Sequence, residues 1–186
     1  AASDVYKRQG KVRWSSHRVI TFSVVYFLTS DVISSLIAGV SSILPDFLEG
    51  SDYQSESWKK RHRTLTHWLL GWFVLMMVFV LYFYFRYGEF LWNFSGVKIG
   101  KAFFMGNQDS SFLIEKGMCY AGFFIVLGGF MHVIEDAFTG RVPIFNPYVR
   151  NFRLAGIRVG SLWERVIVFL FAGLLGVKFF LWDKHL

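Results

Sequence analysis

RVITFSVVYFLTSDVISSLIAGVSSIL, residues 18–44, reads either as one helix or as two, and the choice decides the architecture. As one helix it crosses a membrane and leaves Asp31 near the bilayer centre. Insertion scales put a carboxylate there at about +2.5 to +3.5 kcal/mol. The tripeptide Thr29-Ser30-Asp31 offers the other reading, because Ser and Asp are preferred helix N-caps. Residues 18–28 and 31–44 then form two short helices in a hairpin. Neither is comfortably long enough to span alone, so both pack against longer helices. The hairpin is the expectation.

The surrounding chain is greasy enough to supply those longer helices. Its 186 residues are 54% hydrophobic and 20% aromatic, with mean hydropathy +0.40, well above an ordinary soluble domain. Residues 66–86, 118–138 and 163–182 are each about 20 residues of mostly apolar sequence, roughly 30 Å as a helix and so the thickness of a hydrocarbon core. The expected fold is all-α: a polytopic membrane helical bundle of three long spanning helices plus the short N-terminal hairpin. One membrane-embedded domain over 15–186 is expected. Residues 1–14, beginning AASDVYKRQ, lack the apolar core of a signal peptide and read as a non-native or disordered remnant. Residues 87–117 are too polar to span and read as an interfacial excursion.

Composition also excludes chemistry. A single cysteine, Cys119, rules out an internal disulfide and a cysteine-rich zinc site. Twenty Lys and Arg against 13 acids give a net charge of +7. No aromatic-basic module accompanies that charge, so nucleic acid is not expected. In a membrane chain it signifies cytoplasmic loops and anionic lipid headgroups.

The hairpin makes a topological statement about the polar residues. It returns the chain so that His17, before the first arm, and Asp46, after the second, lie on one side. The loop that follows carries His62, and His67 opens the next helix. Helix 118–138 comes back to deliver His132, Glu135 and Asp136, and Glu164 opens the last helix. Fourteen of the 20 Lys and Arg fall on that side, which the positive-inside rule assigns to the cytoplasm.

Three stretches carry the chemistry. In MHVIEDAFTG, residues 131–140, His132 and Asp136 are four apart and project from one helical face. Glu135 and Asp136 oppose the negative end of the helix dipole, so a positive partner is expected, either a metal ion or an arginine such as Arg141. By itself the His–Asp pair reads more readily as a hydrogen-bonded packing pair than as a metal half-site. Gly128 and Gly129 read as small residues that let helices approach. In RHRTLTHW, residues 61–68, His62 belongs to the approach loop and Thr64 or Thr66 caps. The free N–H groups of that helix start, flanked by Arg61 and Arg63, suit an anion such as phosphate. In ILPDFLEG, residues 43–50, Asp46 follows a helix-ending Pro45, with Glu49 nearby.

Together these motifs resemble the YdjM-like inner-membrane metal-dependent hydrolases of bacteria. SHR with His17, LPDFLE with Asp46, HRTLTHW with His62 and His67, and HVIEDAFTG with His132 and Asp136 follow that pattern in order across roughly 15–170. Ser16 replaces a usual Thr, Leu48 stands where a second Asp is common, and Thr64 and Trp68 replace Gly and Ser. The resemblance implies nitrogen and oxygen ligands only: His17, Asp46, His67, His132 and Asp136, with His62 and Glu164 as further donors. Such a set fits zinc, manganese or iron and leaves room for one or two ions. Glu49, His62 or Glu164 then serves acid–base catalysis, and Arg63, Arg141 and Arg150 hold a phosphoester or lipid-headgroup substrate. Two rival classes carry different signatures. A membrane scaffold or regulator binds no metal, and a metal-ion transporter needs ligands continuing through its spans.

Overall fold

The computed structural model describes residues 2–50, 63–88, 110–157 and 161–181, with backbone alone for 2–13, 110 and 181. In chain order the elements are α1 (Ala2–Thr29), α2 (Val32–Ser41), α3 (Leu44–Leu48), one 3-10 turn (Leu65–His67), α4 (Leu69–Tyr87), α5 (Ser110–Thr139) and α6 (Leu162–Leu181). Among the described residues the only β pairing is an isolated antiparallel bridge between Val142 and Phe152.

The chain does turn back at Asp31. Ser30 adopts a left-handed conformation (φ 54°), and its N–H closes α1 by donating to the Tyr26 carbonyl at 2.8 Å. Asp31 is then the extended N-cap of α2, accepting the Ile33 N–H at 3.0 Å. Its other oxygen accepts from Ser34 Oγ and from the Tyr120 hydroxyl of α5, both at 2.7 Å. The buried carboxylate is therefore met by fixed donors, which answers the desolvation cost that argued against a straight helix. The two arms differ from expectation. α1 runs back to Ala2 rather than starting near residue 18, while α2 stops at Ser41. Pro45 starts α3 instead, at a position where its missing N–H costs nothing.

α5 is the central element, packed on both α2 and α4, while α1 packs on α2 and α6. A Cβ at Gly128 would collide with the Ala38 carbonyl, so glycine there is what lets α2 lie against α5. Val25, Ala38, Phe83, Cys119, Tyr120 and Phe124 form the core beside that crossing. At the far end of α1, Lys178 of α6 donates to the carbonyls of Tyr26 and Phe27 at 2.9 and 2.6 Å, the second of which lies among those a helix C-terminus leaves open.

Two helices among the described residues are long and apolar enough to cross a membrane, Leu69–Tyr87 and Ser111–Thr139, not three as expected. The third candidate does form a helix, α6. Glu164, Arg165 and Lys178 divide it, so no 18-residue stretch of it carries fewer than three charges. The excursion at 87–117 is also shorter than expected, because its last residues already belong to α5; residues 89–109 lie outside the described residues. Only 6% of the α4 window is buried within the bundle, against 44% of the α5 window. Phe73, Val74, Val78, Leu81 and Phe85 of α4 face outward, as do Phe169, Leu170 and Phe180 of α6. Apolar surface on that scale is not left open to water by a monomeric soluble fold.

Candidate metal centre

Four separate segments deliver polar side chains to one end of the bundle. His17 comes from α1, Asp46 from α3, His67 from the 3-10 turn, and His132 with Asp136 from α5. One donor atom from each of Asp46, His67, His132 and Asp136 lies within 4.8 Å of all the others, and all four residues are buried. His67 Nε2 stands 3.2 Å from His132 Nε2, 3.4 Å from Asp46 Oδ1 and 3.3 Å from Asp136 Oδ2. His132 Nε2 stands 3.5 Å from Asp46 Oδ1 and 4.0 Å from Asp136 Oδ2. A tetrahedron of ligands 2.0–2.2 Å from a central ion has edges of roughly 3.3–3.6 Å. The measured separations scatter around that edge.

Hydrogen bonding alone accounts for this grouping poorly. Asp46 Oδ1 is buried with no hydrogen-bond partner among the described residues, and its separations from the two rings are long for hydrogen bonds. They are the right length for two ligands of one ion. The donor set therefore fits a divalent cation of intermediate hardness.

The opposite atoms of two ligands, Asp46 and His67, are held as well, which is how metal sites orient their ligands, whereas His132 Nδ1 has no hydrogen-bond partner among the described residues. Asp46 Oδ2 accepts from the Trp14 indole at 3.2 Å. His67 Nδ1 meets Glu49 Oε1 at 3.0 Å, leaving Nε2 to face the centre. The same Glu49 oxygen accepts from Thr66 Oγ1 and from the Arg63 N–H at 3.0 Å. That last bond pins Arg63 in a left-handed backbone conformation (φ 59°), a costly one for a bulky residue. The turn thereby aims the Arg63 guanidinium inward: Nε lies 2.8 Å from Asp136 Oδ2, and a terminal nitrogen donates to Thr139 Oγ1 at 3.0 Å. Gly140 leaves the space for it, since a Cβ there would collide with the guanidinium.

Electrostatics follow from this packing. Burial works against a charged His67, but the carboxylates of Asp136, Asp46 and Glu49 outweigh it and lift the ring to about 10. Burial would likewise raise the Asp46 carboxyl, yet pairing with His132 and His67 holds it well below the ordinary carboxylate range. Without a metal ion, a proton on His67 supplies the positive charge that these carboxylates require.

The chain belongs to the YdjM inner membrane protein family. The family model matches residues 12–184, and so contains every residue of the centre. Neither a curated protein nor a solved structure matches significantly.

Of the sequence-derived site residues, the structure brings Asp46, His67, His132 and Asp136 together and sets His17 beside them. His17 Nε2 lies 3.7 Å from Asp136 Oδ1, and its ring centroid is 4.1 Å from that of His132. Glu49 lies at the outer nitrogen of His67, and Glu164 accepts from Ser16 Oγ at 2.7 Å. Arg141 and Arg150 are exposed, while His62 lies outside the described residues. Three expectations need correcting. The positive partner of Asp136 is Arg63 rather than Arg141, because the left-handed turn at 63 redirects its side chain. His67 precedes its helix instead of opening it, and neither Thr64 nor Thr66 caps: Thr66 is turned to Glu49. The N–H groups of Leu69 and Leu70 are not free for an anion, since they donate to the carbonyls of Pro143 and Ile144 at 3.0 and 3.4 Å.

Glu135, for which the sequence called only for a positive partner, was given no ligand, catalytic or substrate-binding role. It pairs with His17 Nδ1 at 2.6 Å and accepts from Thr21 Oγ1 at 2.9 Å. A signal was present: Trp14, His17 and Thr21 recur at i, i+3 and i+7, a polar stripe on one face of α1.

Proposed function

We propose that this protein is a membrane-bound, metal-dependent hydrolase with its centre at the cytoplasmic face of the bacterial inner membrane. The observation that carries the reading is the spacing of Asp46, His67, His132 and Asp136 donors at the edges of a ligand tetrahedron, in a buried cluster where Asp46 Oδ1 has no hydrogen-bond partner among the described residues. Zinc is the expected ion, with manganese or iron compatible with the same donors. Held there, a divalent ion supplies Lewis acidity, acidifying water and stabilising negative charge on an acyl or phosphoryl oxygen.

The chain's own residues do the rest. Glu49 and Trp14 hold His67 and Asp46 in their ligating orientations, and Arg63 offsets the charge of Asp136. Arg141 and Arg150, exposed on the segment that follows α5, meet a phosphate of a phosphoester or lipid headgroup. His62 and Glu164 handle protons at that substrate. In this reading α4 and α5 cross the bilayer as a pair, α1, α2 and α6 complete a multi-pass bundle, and lipid covers the outward apolar faces. The excess of Lys and Arg on the site side gives the orientation.

Metal analysis of detergent-purified protein tests the proposal beside a His132→Ala, Asp136→Ala double variant. Wild-type protein should retain a divalent metal and hydrolyse model phosphoesters or acyl esters in a chelator-sensitive way, and the variant should do neither. Absence of metal from folded wild-type protein would leave the cluster as packing polarity and end the hydrolase reading. Reporter fusions after Leu186 and within 95–110 should both be extracytoplasmic; a cytoplasmic signal from either refutes the orientation.

A further inference from the structure

The four-donor group leaves one arrangement unexplained. Glu135 Oε2 takes the Nδ1 side of His17 at 2.6 Å, and Thr21 fixes the other Glu135 oxygen. The other ring nitrogen of His17, Nε2, lies 3.7 Å from Asp136 Oδ1, too far for a direct hydrogen bond and close to the spacing of two ligands on one ion. The oxygen concerned is not the one that belongs to the four-donor group. Asp136 Oδ2 faces His67 and His132, while Oδ1 faces His17.

The two halves also repeat one design. Glu49 holds the outer nitrogen of His67, whose inner nitrogen faces Asp136. Glu135 holds the outer nitrogen of His17, whose inner nitrogen faces the other oxygen of the same Asp136. A carboxylate behind an imidazole is the arrangement that orients metal-ligating histidines. A carboxylate that presents one oxygen to each of two cation positions can bridge them, and hydrolytic two-ion centres place their ions about 3.5–4 Å apart.

We propose that His17 Nε2 and Asp136 Oδ1 form a second, weaker cation position beside the four-donor site, with Asp136 as the bridge and Glu135 as the residue that positions His17. Among the described residues only two protein donors, His17 Nε2 and Asp136 Oδ1, face this position, so water or the substrate completes it and its affinity is the lower of the two. A pair of adjacent cations suits an anionic ester whose oxygens can span both, which narrows the substrate class to phosphoesters over neutral acyl esters. This inference rests on the metal-dependent reading above.

The test is metal stoichiometry of the full chain in detergent, stripped with chelator and titrated with Mn2+ by calorimetry and electron paramagnetic resonance. Wild-type protein should take two equivalents, one tight and one weak, and show an exchange-coupled signal when both are bound. His17→Gln should keep the tight equivalent, lose the weak one and give an uncoupled spectrum. Glu135→Gln should weaken the second equivalent about 10- to 100-fold while leaving the first unchanged. Circular dichroism confirms that each variant remains helical, and His17→Asn serves as the alternative should His17→Gln fail to fold. Saturation of wild-type protein at one equivalent, or two coupled equivalents in folded His17 variants, overturns the proposal and leaves the four-donor site standing. A folded wild-type protein that binds no Mn2+, zinc or iron overturns both.

Discussion

Metal binding should be strongly coupled to the protonation of His67. Its ring, lifted to about 10 by three carboxylates, carries a proton across the neutral range in the metal-free protein. A ligating histidine must be neutral, so each ion that binds displaces that proton. The sign is fixed: affinity rises with pH as long as the pH stays below the metal-free value. One displaced proton gives a slope of one, so raising the pH from 6 to 8 should tighten binding about 100-fold, roughly 3 kcal/mol. At pH 7 the displacement costs about 4 kcal/mol, which the ligand bonds must exceed. Calorimetry in buffers of different ionisation enthalpy reads the number of protons directly, and a chelator competition series reads the slope. An affinity that does not change between pH 6 and 8, with no proton released, would refute the assigned role of the His67 carboxylate partners.

Other perturbations separate ligation from packing. Glu49→Gln removes the charge behind His67 but keeps the size of the side chain, so metal affinity should fall about 10- to 100-fold with helicity intact; unchanged affinity in metal titrations would mean that Glu49 serves the turn alone. Asp31→Leu should lower stability by about 1 kcal/mol for the lost cap, and by more for the abandoned Ser34 and Tyr120 hydroxyls, whereas Asp31→Asn should be milder. Denaturant unfolding in detergent measures both, and a gain in stability with Leu contradicts the hairpin. Gly128→Leu should force α2 away from α5 and destabilise by about 1–3 kcal/mol in the same assay. A neutral result there would mean that the two helices do not meet at that crossing.

The sequence by itself determined the reversal at Asp31, because a carboxylate in a greasy run has few inexpensive positions and a helix N-cap is one of them. That single turn brought His17, Asp46, His67, His132 and Asp136 to one end of the bundle. The helical character of 69–86 and 118–138 was legible for the same reason, since apolar length is a property of the chain alone, whereas the first turns of α5, from Ser110, were not. Tertiary structure decided which atoms meet. Whether Arg63 or Arg141 answers Asp136 depends on a left-handed backbone at 63, held by a Glu49 oxygen from another segment. Which donors form the four-atom group, and that Glu135 stands behind His17, depend on how α1 and α5 are rotated about their axes. Periodicity shows that a helix has a polar face, but the neighbour that face meets is set by packing across the bundle.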